Sequence, residues 1–160
     1  MKKFLIFVPH YFPDLSYGGP TISSSNLAFQ LEKYGYKNIY IISAKDKRIN
    51  LNTSTNDVYF KKFYKANIFM QSLKIYKELI KNQELVLIFN SVFHYQTIFL
   101  FINSLVFNLL TKKNLKILIA PRGEFIFRGK KFSLKKRVWF FIFKTLSRIS
   151  KVSLLFTSIE

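Results

Sequence analysis

The sequence predicts an α/β fold built on a parallel sheet with helices on both faces. Short runs of apolar, β-branched and aromatic residues alternate along the chain with longer segments of helical period. Most of the short runs are apolar at nearly every position, as strands buried on both faces must be. The chain has 160 residues, enough for one domain with a real core and too few for two of ordinary size, so residues 1–160 are read as a single domain. Hydrophobic residues at 49% against charged residues at 21% fit a folded chain and argue against disorder.

The first strand is expected at residues 4–9. Met1, Lys2 and Lys3 precede it, and Pro9 and His10 stop its apolar run before it reaches the length of a signal-peptide core. Further strands are expected at 39–43, 58–63, 85–90, 116–120 and 152–157. Helices are expected at 21–34, 69–82, 95–111 and 134–150, the first supported by Leu27, Leu31 and Tyr34 on one face. The most apolar stretch, 97–110, carries Asn103, Ser104 and Asn108 and falls short of the roughly 20 apolar residues of a membrane span, so it reads as a buried helix. Residues 44–57 and 122–132 lack periodicity and read as long loops, which in such folds are often functional. Crossovers of this kind build a Rossmann-like sheet.

The absence of cysteine excludes disulfides, thiolate-bound zinc and cysteine nucleophiles, and permits a reducing cytosol. Lys and Arg total 26 against 8 acidic residues, a formal +18, which draws the chain toward polyanions unless lysine merely fills ordinary solvated positions. No RNP-like, zinc-finger or helix-turn-helix pattern accompanies that charge, so nucleic acid is disfavoured as a partner. No Asp-x-Asp pair or spaced His and carboxylate cluster is present, and no metal is expected.

Two loops carry candidate chemistry. After the first strand come His10-Tyr11-Phe12-Pro13-Asp14 and then Gly18-Gly19-Pro20-Thr21, opening a helix with Ser23, Ser24 and Ser25 in its first turns. Pro20 suits a helix start because its missing N–H would have no partner there, and Gly19 allows close approach of a ligand. The free N–H groups and positive helix end favour a phosphate. The same residues also suffice for a plain strand-to-helix turn, and their spacing matches neither a dinucleotide fingerprint nor a P-loop. The second loop, Pro121-Arg122-Gly123-Glu124-Phe125, follows the expected strand 116–120 at its carboxyl end, where open α/β sheets place ligands. Arg122 can clamp an anion and Glu124 can accept hydrogen bonds from sugar hydroxyls. A turn with a surface ion pair is the alternative.

In these features the chain resembles the retaining glycosyltransferases of family 4, whose N-terminal domains open with a strand, a Pro-containing loop and a Gly-Gly turn before a helix. The resemblance continues through Ala120-Pro121-Arg122-Gly123-Glu124, the pair Lys135-Lys136, an amphipathic helix at 134–150, and Phe156-Thr157-Ser158-Ile159-Glu160. It rests on order and spacing over essentially all 160 residues. It implies a GT-B enzyme of two facing Rossmann-like halves, of which this chain is the acceptor-side half, cut before the donor-binding half and inactive alone. By that resemblance Gly18 and Gly19 face the donor diphosphate, Arg122, Gly123 and Glu124 line the cleft, and Glu160 sits at the hinge.

The implied donor is a nucleotide-sugar, bound mainly by the other half and counted as substrate, so no cofactor is expected. The implied acceptor is a glycan or lipid-linked sugar in cell-surface polysaccharide or glycolipid assembly. His94 is a candidate for orienting a sugar hydroxyl. The family carries its histidine on or directly after the preceding strand, where this chain has Phe89-Asn90-Ser91, and a structural role is the alternative for His94.

The helix at 134–150 places Leu134, Val138, Phe141, Ile142, Leu146 and Ile149 on one stripe and Arg137, Lys144, Arg148 and Lys151 on another, with Trp139, Phe140 and Phe143 widening the apolar sector. Arg137, Trp139, Lys144 and Arg148 are therefore candidates for contact with an anionic membrane surface, giving a cytoplasmic chain held peripherally at the inner face. A crossover helix with a solvated basic face is the alternative. The alternative functions are a basic nucleic-acid-binding module and a non-catalytic remnant or split-enzyme subunit completed by a separate donor-domain chain.

Overall fold

A computed structural model describes residues 2–10, 19–45, 63–65, 67–81, 84–111, 115–121, 133–149 and 152–154. In chain order the elements are β1 (Lys3–His10), α1 (Gly19–Lys33), β2 (Ile39–Lys45), β3 (Phe63–Lys65), α2 (Ile68–Ile80), β4 (Leu85–Phe89), α3 (Tyr95–Thr111), β5 (Leu115–Ile119), α4 (Leu134–Ile149) and β6 (Val152–Leu154). The six strands form one parallel sheet in the order β3-β2-β1-β4-β5-β6. This is the expected α/β, Rossmann-like arrangement. The third expected strand meets β3 only at Phe63; residues 58–62, like 155–157 of the sixth, lie outside the described residues.

Alternation along the strands sorts the core into two layers, because successive side chains leave opposite faces of a sheet. Leu5 and Phe7 of β1, with Leu85, Leu87 and Phe89 of β4, face α2, α3 and α4. Phe4, Ile6 and Val8, with Val86 and Ile88, face α1. Every residue of β4 is buried, and the ring of Phe89 stacks on that of Phe7 at 5.2 Å between centroids.

Helix ends are set by local hydrogen bonding. Asn67 caps α2, its Oδ1 accepting from Met70 N–H at 2.9 Å. Gly35 stops α1: at φ 86° it occupies the left-handed region open to glycine, its N–H donates to Glu32 O at 2.9 Å, and Tyr36 N–H reaches back to Leu31 O at 3.1 Å. Tyr36 then packs edge-on against Phe4 at 4.8 Å. This stop corrects the expectation for Tyr34, which sits at the helix end and is 79% exposed, while Leu27 and Leu31 pack against the core around fully buried Ala28.

The inward face of α4 is also not the expected one. Leu134 and Phe141 are 75% and 72% exposed, and Val138 and Ile142 are exposed too; Trp139 and Phe143 are buried, with Leu146 packed beside them. Phe101 of α3 decides the orientation. Its ring meets Trp139 edge-on at 6.2 Å and Phe143 at 5.4 Å, and Trp139 Nε1–H donates to Val92 O at 2.8 Å. An indole buried with its donor satisfied favours this face over one lined by Leu134 and Phe141. Trp139 is thereby removed from the residues available to a membrane surface, whereas Arg137, Lys144 and Arg148 are exposed.

At the amino edge of the sheet, Lys3 Nζ pairs with Glu78 Oε2 of α2 at 2.7 Å, both side chains largely buried. Lys3 and Lys74 each place an ammonium over the ring of Tyr40, at 4.6 and 5.1 Å from its centroid. Burial holds Lys74 below the ordinary lysine range, and the nearby Lys3 adds to this while Glu78 opposes it.

Candidate functional site

The strand order reverses between β1 and β4. The connection leaving β1 runs through α1 on one face, and those leaving β4 and β5 run through α3 and α4 on the other. A crevice opens at the carboxyl ends of the strands flanking such a switch point. Here the apolar strands give way to polar side chains. Ser43 at the end of β2 donates from Oγ to Pro9 O at 3.4 Å. Asn90, the first residue after β4, is buried; its N–H donates to Phe7 O at 3.3 Å and its side-chain amide donates to Ser24 Oγ of α1. The Asn90 amide thus ties the end of β4 to the second turn of α1 across the switch point.

The first turns of α1 bury Thr21, Ser24 and Ser25 and leave Gly19 exposed, with Ser23 Oγ–H donating to Gly19 O. A Cβ built on Gly19 meets nothing within 4 Å, so the fold itself does not demand glycine there. Ala120 and Pro121 are buried beside β4, Ala120 N–H donating to Phe89 O at 2.8 Å, and the chain then leads to Arg122. The structure therefore brings Gly19, Asn90 and the start of the Pro121 loop to one edge. Gly18, Arg122, Gly123, Glu124 and Glu160 lie outside the described residues.

His94 caps α3. Its Nδ1 accepts from Gln96 N–H at 3.3 Å, its carbonyl accepts from Ile98 N–H at 3.1 Å, and its own N–H donates to Ser91 Oγ at 3.1 Å. The ring rests against Tyr95 at 4.6 Å. The geometry gives His94 a capping role at the start of α3. We expect His94→Ala to lower the unfolding free energy by about 1 kcal/mol and His94→Asn by only a few tenths, because asparagine restores the cap. Equal losses in urea titrations would assign the ring another role.

Sequence reasoning passed over Asn90 and Ser24 as working residues. The available signal was the abrupt change from five apolar residues, Leu85 to Phe89, to the polar pair Asn90-Ser91. Chemically, the edge offers the exposed helix start at Gly19, suited to an anionic ligand, while the Asn90 amide and Ser24 hydroxyl beneath it are buried and bonded to each other. Among the described residues no group of His, Asp and Glu converges to hold a metal, and no helix is long and apolar enough to cross a membrane. No protein-family model matches the chain, and no curated protein matches it significantly.

Proposed function

We propose that this chain is the acceptor-side half of a retaining GT-B glycosyltransferase, working with a second Rossmann-like half that binds a nucleotide-sugar. The observation that carries the reading is the β1/β4 switch point, where Asn90 after β4 bonds Ser24 of the glycine-started α1 and Pro121 leads toward Arg122-Gly123-Glu124. In this reading the amide end of α1 faces the donor diphosphate and favours its negative charge as the sugar bond breaks. The acceptor, a glycan or lipid-linked sugar, lies against the carboxyl edge of β4 and β5. Substitution occurs on the front face of the anomeric carbon, and no protein-bound cofactor takes part.

Gly19 separates this reading from a purely structural one. Because a Cβ there meets open space, Gly19→Ala should leave the melting temperature unchanged or slightly raised. Gly19→Val should lower kcat/KM for sugar transfer by about tenfold or more, since its branches stand where the diphosphate approaches. The assay pairs the natural protein, together with its donor-binding half, with labelled nucleotide-sugars and a glycolipid extract. Transfer from no donor would end the proposal, and transfer indifferent to Gly19→Val would remove Gly19 from it.

A further inference from the structure

The outward side of α3 has an unusual composition. The helix carries no Asp, Glu, Lys, Arg or His over its 17 positions. Its solvent-facing row is Tyr95, Phe99, Ile102, Val106 and Leu109, spaced by four, three, four and three residues as one face of a helix requires, with Leu110 adjoining it at 73% exposure. The helices on either side supply charge of one sign. Lys77 of α2 and Lys135, Arg137, Lys144 and Arg148 of α4 are exposed, whereas Glu78, the single carboxylate on α2, α3 and α4, is buried against Lys3. Phe141 and Val138 extend the exposed apolar surface onto α4.

We infer that this three-helix layer is a docking surface for an anionic lipid bilayer, with the α3 row entering the headgroup region and the cations of α2 and α4 lying over lipid phosphates. An apolar row between cationic flanks matches the order of an anionic bilayer, apolar beneath a negative surface. A second copy of the chain is the poorer occupant. It would bring like-charged flanks together, each chain carrying a formal +18. The contact centres on α3 and excludes Trp139, and it stands whether or not the chain takes part in sugar transfer.

The cysteine-free sequence allows a direct test, because an introduced thiol is unique. Val106→Cys carrying an environment-sensitive fluorophore should shift to the blue with vesicles of phosphatidylcholine and phosphatidylglycerol, and not with phosphatidylcholine alone. The same label at exposed Gln30→Cys on α1, across the sheet, should not respond. In co-sedimentation, Leu109→Gln with Leu110→Gln should weaken partitioning by about tenfold or more. Arg137→Gln, Lys144→Gln and Arg148→Gln together should weaken it on the order of a hundredfold. All these side chains are exposed, and circular dichroism checks that the variants fold.

Binding that survives the α3 substitutions would overturn the proposal in favour of charge attraction alone. Equal binding to both vesicle types would overturn it as well. So would a wild-type dimer, seen by light scattering, that the α3 substitutions dissociate while vesicle binding is unchanged.

Discussion

Trp139→Ala is expected to lower the unfolding free energy by about 3–5 kcal/mol, the largest effect of any single substitution on α4. The indole is 8% exposed, lies edge-on to Phe101 and packs near Phe143 at 6.1 Å, so its removal leaves a cavity between α3, α4 and the sheet. Trp139→Phe keeps most of the volume and removes the donor to Val92 O, leaving a carbonyl at the β4–α3 connection without that partner, for a cost of about 1–2 kcal/mol. Phe141→Ala, the same kind of truncation two residues on, should cost under about 0.5 kcal/mol because that ring is already in solvent. Urea unfolding followed by far-ultraviolet circular dichroism measures all three. A ranking with Phe141 above Trp139 would mean that α4 is turned with its other side to the sheet.

Glu78→Gln is expected to cost about 3 kcal/mol, the lower end of what removing one partner from a buried pair does. The amide leaves the ammonium groups of Lys3 and Lys74 facing Tyr40 without their carboxylate. Replacing the pair together, Lys3→Met with Glu78→Leu, should recover most of the loss, since paired apolar groups avoid the desolvation of both charges.

The loss should also depend on pH through Lys74. Its folded-state pKa is depressed below 10.5, so between that lowered value and 10.5 the unfolded chain binds more protons than the folded one. Stability contributed by Lys74 therefore rises with pH across that window. Removing Glu78 takes away the charge that opposes the depression, so the window widens. The Glu78→Gln deficit should shrink between neutral pH and about pH 10. A deficit independent of pH would make it a packing effect of the amide.

The parallel sheet was legible because its signal is local and redundant. Runs such as Phe4 to Val8 and Leu85 to Phe89 are too short for helices and apolar throughout, which leaves few places for them other than between two helical layers. Helix α3 begins and ends at the expected residues, 95 and 111. The face of α4 was not legible for the converse reason. With Leu134, Val138, Phe141 and Ile142 in one sector and Trp139, Phe140 and Phe143 in another, periodicity allows two inward faces. The choice is made by Phe101 and the Val92 carbonyl, which lie far away in sequence.

The stop at Gly35 was readable in principle, since glycine just past a helical stretch is the usual terminator, yet Tyr34 continues the heptad-like spacing of Leu27 and Leu31 and masks it. Of the candidate site, the position was legible and the partners were not. A helix starting at Gly19 after β1 and the placement of Pro121 after β5 follow from order alone. The bond from Asn90 to Ser24 joins residues of two connections whose proximity is a property of the strand order.

That strand order also sets a schedule for the nascent chain. β1 leaves the ribosome before the other strands of this sheet and ends between two of them, with β2 on one side and β4 on the other. Its pairing with β2 is within reach once Lys45 has emerged, but Lys3 meets Leu85 only after α2 has been made, so one side of the apolar run Phe4 to Val8 waits unpaired until then. An open apolar edge of this kind is a template for mispairing. The demand for chaperone protection therefore opens when β1 emerges and ends when β4 arrives.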